Sequence, residues 1–470
     1  MDVTKASVRV FISQTVNSLL VFLGFTYLAR TEGANNIGIF FLFQSSLSIL
    51  AIIADLGIRR AVEKRISEGD QPHRMFSAGL LVKLIPLALI TLLIFIFKSQ
   101  ISIYIGADVA LLLALAIIAQ ELFRLSLSTL RGELRVVTTS DIKILYHLTW
   151  IGGGILLTTL GYGIDSLMYT LVAGYLTLAI YSFWISDISF VMPTMSHIKS
   201  IFSYSKFNFA TRLGGQFYNW VDIAIIGYFL TQSHVGAYEI AWKITVLSLL
   251  ISKSIGTSIF PQISKWSNNQ DNKRIQSLFR AAILPPLLLS IPLFVGSVIL
   301  AEDILIIVYS PEFAIAAIPL IILSAEKVFQ GVHTIVGRTL LAIDQPHLAA
   351  RATILSLIVN VFLNIILIYW FGLLGAAIAT GTASLMNVIL HYHYLTKFID
   401  FDIPRKNISY ILSSSLFMGS IVFSIKMSIT ISSIPVLIGV ITFGGIIYLI
   451  PLMFVPDIRS ILFRATRSLV

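Results

Sequence analysis

Seven basic side chains lie within stretches of otherwise apolar sequence, where a positive charge is unfavourable. They are Lys83, Arg124, Arg212, Lys243, Lys253, Lys327 and Arg338. A basic residue at the centre of a bilayer costs roughly 2.5 to 3.5 kcal/mol even on the lenient insertion scale. Seven such charges at full depth would cost on the order of 20 kcal/mol, which exceeds a typical folding stability. We therefore expect these side chains to be paired, to extend to the headgroups from helix ends, or to bind an anion.

Helical spacing groups several of these charges on common faces. At about 100° per residue, Lys327 and Arg338 point in one direction, and Glu326 points to a flank of that face. Glu239 and Lys243 are spaced i, i+4, which suits a salt bridge on a helix. The spacing therefore predicts cation-bearing polar stripes on individual helices.

The basic side chains outnumber the acidic ones at depth, so a surplus of positive charge remains after pairing. A phosphate or diphosphate would supply the missing negative charge and hydrogen-bond acceptors. The predicted substrate-binding cations are Lys243, Lys327, Arg212, Arg124 and Lys83. The deep carboxylates are candidates for coupling to H⁺ or Na⁺, and they are Glu121, Asp222, Glu326 and Glu239.

Two ordinary explanations of the charges stay open. Interhelical salt bridges could neutralise them, and long side chains near helix ends could extend to the headgroups, which suits Lys83, Arg212, Lys253 and Arg338. The histidines His333, His391 and His393 are interpreted as hydrogen-bonded interior or interfacial groups. The sequence predicts no catalytic residue, no metal ligand set and no cofactor, and the absence of cysteine excludes thiol and Cys-ligated metal chemistry.

The elements that carry these residues are predicted to be membrane-spanning helices. Of the 470 residues, 57% are hydrophobic and 12% are charged, against roughly 25% charged in soluble proteins. Apolar runs of about 20 residues recur along the whole chain, as in an all-α integral membrane protein. About 14 spans are predicted, over residues 10–29, 37–57, 78–97, 108–128, 143–161, 164–187, 208–230, 234–260, 281–301, 313–341, 352–371, 373–395, 409–427 and 432–454.

The loop charges predict the orientation of these spans. Only Arg30, Lys98 and Lys426 lie in one set of loops, and most other Lys and Arg residues lie in the opposite loops and at the termini. Because basic loops are retained on the cytoplasmic side, we expect a multi-pass protein of the cytoplasmic membrane with both termini in the cytoplasm. The net charge of +10 is explained by this topology and does not indicate nucleic-acid binding.

An internal repeat predicts two related lobes. Ile37-Gly38 and Val235-Gly236 lie in similar contexts about 200 residues apart, and Pro86 matches Pro285-Pro286 at the same offset. Six spans separate the matching positions, which predicts parallel, pseudo-symmetric six-helix lobes. The expected division is residues 1–200, residues 201–400, and residues 401–470 with two added helices and a cytoplasmic tail.

Several quoted stretches resemble the Wzx-type polysaccharide flippases of the multidrug, oligosaccharidyl-lipid and polysaccharide exporter superfamily. They are "YLARTEGANNIGIFFLFQSSLSILAIIADLGIRRAVEKRIS", "VGAYEIAWKI" with "IFPQISK", "VYSPEFAIAAIPLIILS" and "NVFLNIILIYWFGLLGAAIATGTAS". The resemblance covers nearly the whole chain. It implies a two-lobed, inverted-V transporter that moves a glycan, linked to an undecaprenyl or dolichyl phosphate or diphosphate, to the outer leaflet by alternating access.

The leading functional hypothesis is therefore a flippase for surface polysaccharide synthesis or protein N-glycosylation, and not an enzyme. Its expected partners are the lipid-linked glycan, membrane lipids, a coupling H⁺ or Na⁺, and glycosyltransferases or a polymerase of the same pathway. Two alternatives remain. A multidrug or organic-cation antiporter of the same superfamily would favour an acidic cavity, whereas a membrane polymerase or ligase would need a larger outer loop than the sequence offers.

Overall fold

The computed structural model describes residues 3–205, 220–269, 271–400 and 403–467. These residues fold into helices joined by short connections, and the described part of the chain contains no β-strand. The chain divides into two compact units, unit 1 over Met1–Gly236 and unit 2 over Ala237–Val470. The predicted lobe boundaries and the pseudo-symmetry between the lobes stay predictions.

Unit 1 is built from long apolar helices and shorter helices that connect them. Their bounds are α1 Val3–Asp55, α2 Ile58–Ser67, α3 Pro72–Ile96, α4 Lys98–Ile105, α5 Ala110–Gly132, α6 Val136–His147, α7 Gly153–Leu157, α8 Asp165–Trp184, α9 Val221–Phe229 and the first residues of α10, Gln232–Val246. Gly33 interrupts α1 with φ 78° and ψ 173°, a conformation that glycine adopts easily. One apolar core of unit 1 joins α2, α3 and α5.

Unit 2 contains the rest of α10 and a second series of long helices. Their bounds are α11 Leu249–Asn268, α12 Asn272–Ile304, α13 Ala317–Ala342, α14 Pro346–Leu395, α15 Arg405–Ser428, α16 Ile434–Leu452 and α17 Pro456–Arg467. Gly372 interrupts α14 with φ 56° and ψ −135°. Pro346 lies in the first turn of α14, where its missing N–H is not needed by the helix. The apolar core of this unit includes residues of α11, α12, α13, α15 and α16.

The repeat-related glycines Gly38 and Gly236 both lie at a close helix contact in unit 1. A Cβ atom at Gly38 would collide with the backbone carbonyl of Gln232, and one at Gly236 would collide with the carbonyl of Ala34. Neither position has room for a side chain. These glycines therefore allow α1 and the start of α10 to pack backbone against backbone.

The helices have the length and composition of membrane spans. Within the described residues, nine helices are long and apolar enough to cross a bilayer. The number is ten when α10 and α11, which meet at a 50° bend, count as one span. Predicted and observed bounds agree within a few residues for some spans, for example 409–427 with Arg405–Ser428. Others differ more, and the helix predicted over 281–301 is observed as Asn272–Ile304. The chain is thus an all-helical, multi-pass membrane protein, and the count of 14 spans stays a prediction.

Candidate functional site

A cluster of five charged side chains lies within unit 1, on four helices. The unit 1 charge cluster consists of Asp55 on α1, Arg59 on α2, Lys83 on α3, and Glu121 and Arg124 on α5. Asp55 and Glu121 are buried, and Lys83 is 2% exposed. The cluster holds one more positive than negative charge, because Arg59, Lys83 and Arg124 face Asp55 and Glu121.

Lys83 is the centre of this cluster. Its Nζ lies 3.0 Å from Asp55 Oδ1 and 2.5 Å from Glu121 Oε2, so one ammonium bridges two helices besides its own. Of the two explanations that the sequence leaves open for Lys83, the contacts agree with interhelical salt bridges and not with extension to the headgroups. A buried ammonium without these carboxylates would be strongly unfavourable, which explains why the three side chains occur together.

Each of the two carboxylates that hold Lys83 also pairs with an arginine. Arg59 Nε lies 2.8 Å from Asp55 Oδ1, and the backbone N–H of Arg59 donates to the same oxygen at 3.3 Å. Burial opposes the charged form of Arg59, but the carboxylates of Asp55 and Glu121 outweigh it and raise the pKa of this guanidinium above its ordinary value. Asp55 therefore has two cationic partners.

Arg124 is held less tightly than the other cations of the cluster. Its Nη1 lies 3.5 Å from Glu121 Oε1, and that carboxylate oxygen is buried without a hydrogen-bond partner. The Arg124 side chain is 30% exposed, whereas Glu121 is fully buried. Arg124 is thus the member of the unit 1 charge cluster that can change partners with the least rearrangement.

A second cluster lies within unit 2, on α10 and α13. The unit 2 charge cluster consists of Glu239, Trp242, Lys243, Glu326 and Lys327. Lys243 Nζ lies 3.1 Å from Glu239 Oε1, which confirms the i, i+4 pair expected from the sequence. Lys327 Nζ lies 3.3 Å from the centroid of the Trp242 ring, a distance that gives a cation–π contact between the two helices.

Lys327 and Glu326 form an ion pair that helical spacing alone does not suggest. Lys327 Nζ lies 2.5 Å from Glu326 Oε2, and both side chains are fully buried. Neighbouring residues on a helix normally point apart, so the sequence placed Glu326 on a flank. Lys327 is fully buried, whereas the Lys243 side chain is 20% exposed and is the more accessible cation.

The remaining predicted residues do not join either cluster among the contacts described. Asp222 is buried in the first turn of α9. Lys253 and Arg338 are exposed, which fits the interpretation of side chains that extend outward. Arg212 lies outside the described residues.

Sequence reasoning missed two members of the unit 1 charge cluster as site residues, Asp55 and Arg59. Asp55 ends an apolar helix, and Arg59 follows it by four residues in a basic loop segment. The i, i+4 spacing of opposite charges was the available signal. Arg59 was counted only among the basic loop residues that determine topology.

Solved structures with the same fold belong to membrane transporters. The fold matches "Lipid II flippase MurJ, inward closed conformation" with a TM-score of 0.79 and 19% identity, covering 97% of this chain and 98% of the other. It also matches an inward-facing multidrug resistance MATE family transporter of the MOP superfamily with a TM-score of 0.64 and 16% identity, covering 84% and 98%. The chain thus has the fold that these MurJ and MATE structures share.

Sequence comparison gives the family within that class. Residues 27–318 match the family described as "Polysaccharide biosynthesis protein", and residues 196–444 match "Lipid II flippase MurJ". The chain is 43% identical to the "Probable low-salt glycan biosynthesis flippase Agl15" of Haloferax volcanii, covering 99% of this chain and 98% of that protein. It is 31% identical to the "Probable flippase AglR" of the same organism, covering 85% and 84%. The chain belongs to the polysaccharide biosynthesis protein family, which confirms the resemblance and favours a transporter over an enzyme.

Proposed function

We propose that this protein moves glycans linked to a polyprenyl phosphate or diphosphate from the cytoplasmic to the outer leaflet of the cytoplasmic membrane, with both of its termini in the cytoplasm. The membership of the chain in a flippase-containing family supports the class of transport. The surplus positive charge of the unit 1 charge cluster supports an anionic headgroup. An organic cation, the substrate of the alternative multidrug function, would be repelled by the same surplus.

The observation that supports the proposal most directly is the loose pairing of Arg124. A phosphate near its guanidinium can accept two parallel hydrogen bonds, which Glu121 at 3.5 Å does not provide. Lys83 would meanwhile keep Glu121 neutralised through its 2.5 Å contact. We therefore assign phosphate contact to Arg124 and a positioning role to Lys83, which holds the carboxylates in place.

The unit 2 charge cluster supplies a second set of cations for the same substrate class. Lys243 is partly exposed and can reach an anion when it leaves Glu239, while Lys327 is enclosed by Glu326 and Trp242. Lys243 is therefore the proposed phosphate contact in this unit, and Lys327 supports the cluster from within. Alternating access would expose these cations first on one side of the membrane and then on the other.

The proposal also includes a coupling ion and protein partners. Glu121, Glu239 and Glu326 each hold a basic partner in this state. Binding of H⁺ or Na⁺ at any of them would have to accompany release of that partner, and Asp222 is a fourth candidate. Glycosyltransferases or a polymerase of the same pathway are the partners we expect, because they would make and consume the lipid-linked glycan.

A charge substitution at Arg124 tests the proposed phosphate contact. Arg124→Gln should lower the initial flipping rate about 10- to 100-fold, because a hydrogen bond to a charged group contributes about 1.5 to 3 kcal/mol. The flipping rate of Arg124→Lys should lie between those of the wild type and Arg124→Gln, since lysine keeps the charge but cannot form the bidentate hydrogen bonds of a guanidinium. The assay is proteoliposome flipping of a polyprenyl diphosphate that carries one fluorescently labelled sugar, with an impermeant quencher outside.

Arg131→Gln is the matched control for this experiment. Arg131 lies on the same helix two turns further on, is exposed to a similar extent, and pairs with Glu63 at 3.0 Å. This control should flip the probe at nearly the wild-type rate. Equal rates for Arg124→Gln and Arg131→Gln, at equal protein levels, would refute the assignment of Arg124.

A further inference from the structure

Two histidines, for which the sequence indicates only hydrogen-bonded interior or interfacial groups, face each other inside unit 2. His333 on α13 and His391 near the end of α14 have ring centroids 4.5 Å apart, with the ring planes at 85°. Each follows a side-chain amide by about one helical turn, Gln330 before His333 and Asn387 before His391. We call these four residues the histidine–amide cluster.

The histidine–amide cluster contains buried acceptors that lack donors. The side-chain oxygens of Gln330 and Asn387 and the Nε2 atom of His333 are buried without a hydrogen-bond partner. His391 Nδ1 lies 2.9 Å from the backbone oxygen of Asn387, so this nitrogen must carry a proton and donate it. Reversing either amide would leave an NH₂ group in the same dry position, so the orphaned atoms are not explained by amide orientation.

A missing side chain leaves space beside the orphaned nitrogen. A Cβ atom at Gly337 would lie 3.6 Å from His333 Nε2 and 3.6 Å from His391 Cδ2, which is ordinary van der Waals contact. The glycine therefore forms a notch that adjoins both rings. A water molecule entering this notch could reach the nitrogen that has no partner.

Charged groups on the surrounding helices are directed elsewhere. On the helices packed against α13, Lys253 of α11 and Arg280 of α12 are exposed, and so is Arg338 of α13 itself. Glu326 is paired with Lys327, and Asp303, near the far end of α12, is paired with Lys426. On α14, Arg351 and His393 are exposed. His391 is accordingly the titratable side chain in contact with His333.

We propose that the histidine–amide cluster is a proton-binding site that couples proton movement to transport, an inference that rests on the proposed function. Burial disfavours a charged imidazole, so the arrangement in this structure is the uncharged form. When unit 2 opens the Gly337 notch to water, a hydronium ion transfers its proton to His333 Nε2, an N–H bond forms, and water is left. The new N–H donates to the water that has entered the notch, and the proton returns to water on the opposite side of the membrane.

A proteoliposome experiment with an imposed pH gradient tests the coupling. With one proton exchanged per glycan, a gradient of one pH unit should shift the steady-state ratio of labelled lipid between the leaflets about tenfold in the wild type. His333→Gln and His391→Gln should hold this ratio near one with or without the gradient, yet still equilibrate the labelled lipid. His393→Gln, which changes an exposed histidine two residues further on, should respond as the wild type does.

The outcomes separate coupling from a structural role and from the proposed function. A structural role would slow equilibration without a gradient and leave the tenfold response intact, which would overturn the inference. A gradient response in His333→Gln, or none in the wild type, would overturn it as well. If the wild type does not move the labelled lipid at all, the proposed function fails, and proton binding is then decided by the spectroscopic measurement below.

Solid-state ¹⁵N NMR of histidine-labelled proteoliposomes measures protonation without transport. Titration from pH 8 to pH 4.5 should convert one ring of the wild-type pair to the doubly protonated form, and that signal should be missing in His333→Gln but present in His393→Gln. Gly337→Ala keeps both histidines, and alanine is favourable in a helix. Because its methyl group fills the notch and excludes water, the protonation of the histidine pair should shift to lower pH. A pair that stays uncharged throughout, or an unchanged titration in Gly337→Ala, would refute the site.

Discussion

Removing the central ammonium of the unit 1 charge cluster should destabilise the protein and also abolish its transport. In Lys83→Met, Asp55 keeps Arg59 as a partner at 2.8 Å, but Glu121 loses its 2.5 Å contact and keeps the 3.5 Å ion pair with Arg124. The variant leaves a fully buried carboxylate without its closest cation. Breaking a buried ion pair by removing one partner destabilises a protein by about 3 to 5 kcal/mol.

A second substitution should restore stability but not function. Lys83→Met combined with Glu121→Gln removes the stranded carboxylate and returns the cluster to one surplus positive charge. The double variant should regain most of the lost stability, which corresponds to a coupling energy at the upper end of the roughly 0.5 to 3 kcal/mol typical of contacting residues. Transport should not recover, because Arg124 has lost the charged anchor that positions it.

The assay is a double-mutant cycle in detergent, followed by flipping in proteoliposomes. Thermal midpoints of the wild type, both single variants and the double variant would be read from intrinsic fluorescence, with equal lipid and detergent loads. Additive effects of the two substitutions would show that Lys83 and Glu121 do not interact, and would refute the described cluster. Full transport by the double variant would instead refute the positioning role of Lys83.

Three further predictions follow from the structure. Lys243→Met should reduce the flipping rate about 10- to 100-fold through loss of a contact to phosphate. Lys253→Met, which changes an exposed lysine, should have little effect. Similar flipping rates in the two variants would show that Lys243 does not contact the phosphate. Gly38→Ala should prevent stable folding, because its Cβ collides with a backbone carbonyl, and a well-folded, monodisperse variant on size-exclusion chromatography would contradict that packing. Because the chain has no cysteine, single Ser196→Cys and Ser433→Cys variants can test the topology, and an impermeant maleimide applied to intact cells should label only the second.

The fold could be predicted largely from the sequence because bilayer burial imposes length and composition on each span. The stretch predicted over 108–128 is observed as Ala110–Gly132, and the one over 432–454 as Ile434–Leu452. Helix ends differed where polar residues continue a helix past the apolar run. The first turn of α3 begins at Pro72, ahead of the predicted start at residue 78.

The pairing of the intramembrane charges could be predicted only in part. Spacing along one helix was enough for Glu239 and Lys243, which lie one turn apart. It could not show that Lys83 meets both Asp55 and Glu121, because those partners lie on two other helices, 28 and 38 residues away in sequence. The helical wheel gives the direction of a side chain from its own axis, and the choice of neighbouring helix depends on tertiary packing.

Flipping by the purified protein alone tests the central claim most directly. Proteoliposomes that contain only this protein and a labelled sugar on a polyprenyl diphosphate should expose inner-leaflet label to an external quencher much faster than protein-free vesicles do. The same vesicles should not accumulate a fluorescent organic cation under the same gradients. Label exposure equal to that of protein-free vesicles, with accumulation of the organic cation, would contradict the account and favour the multidrug alternative.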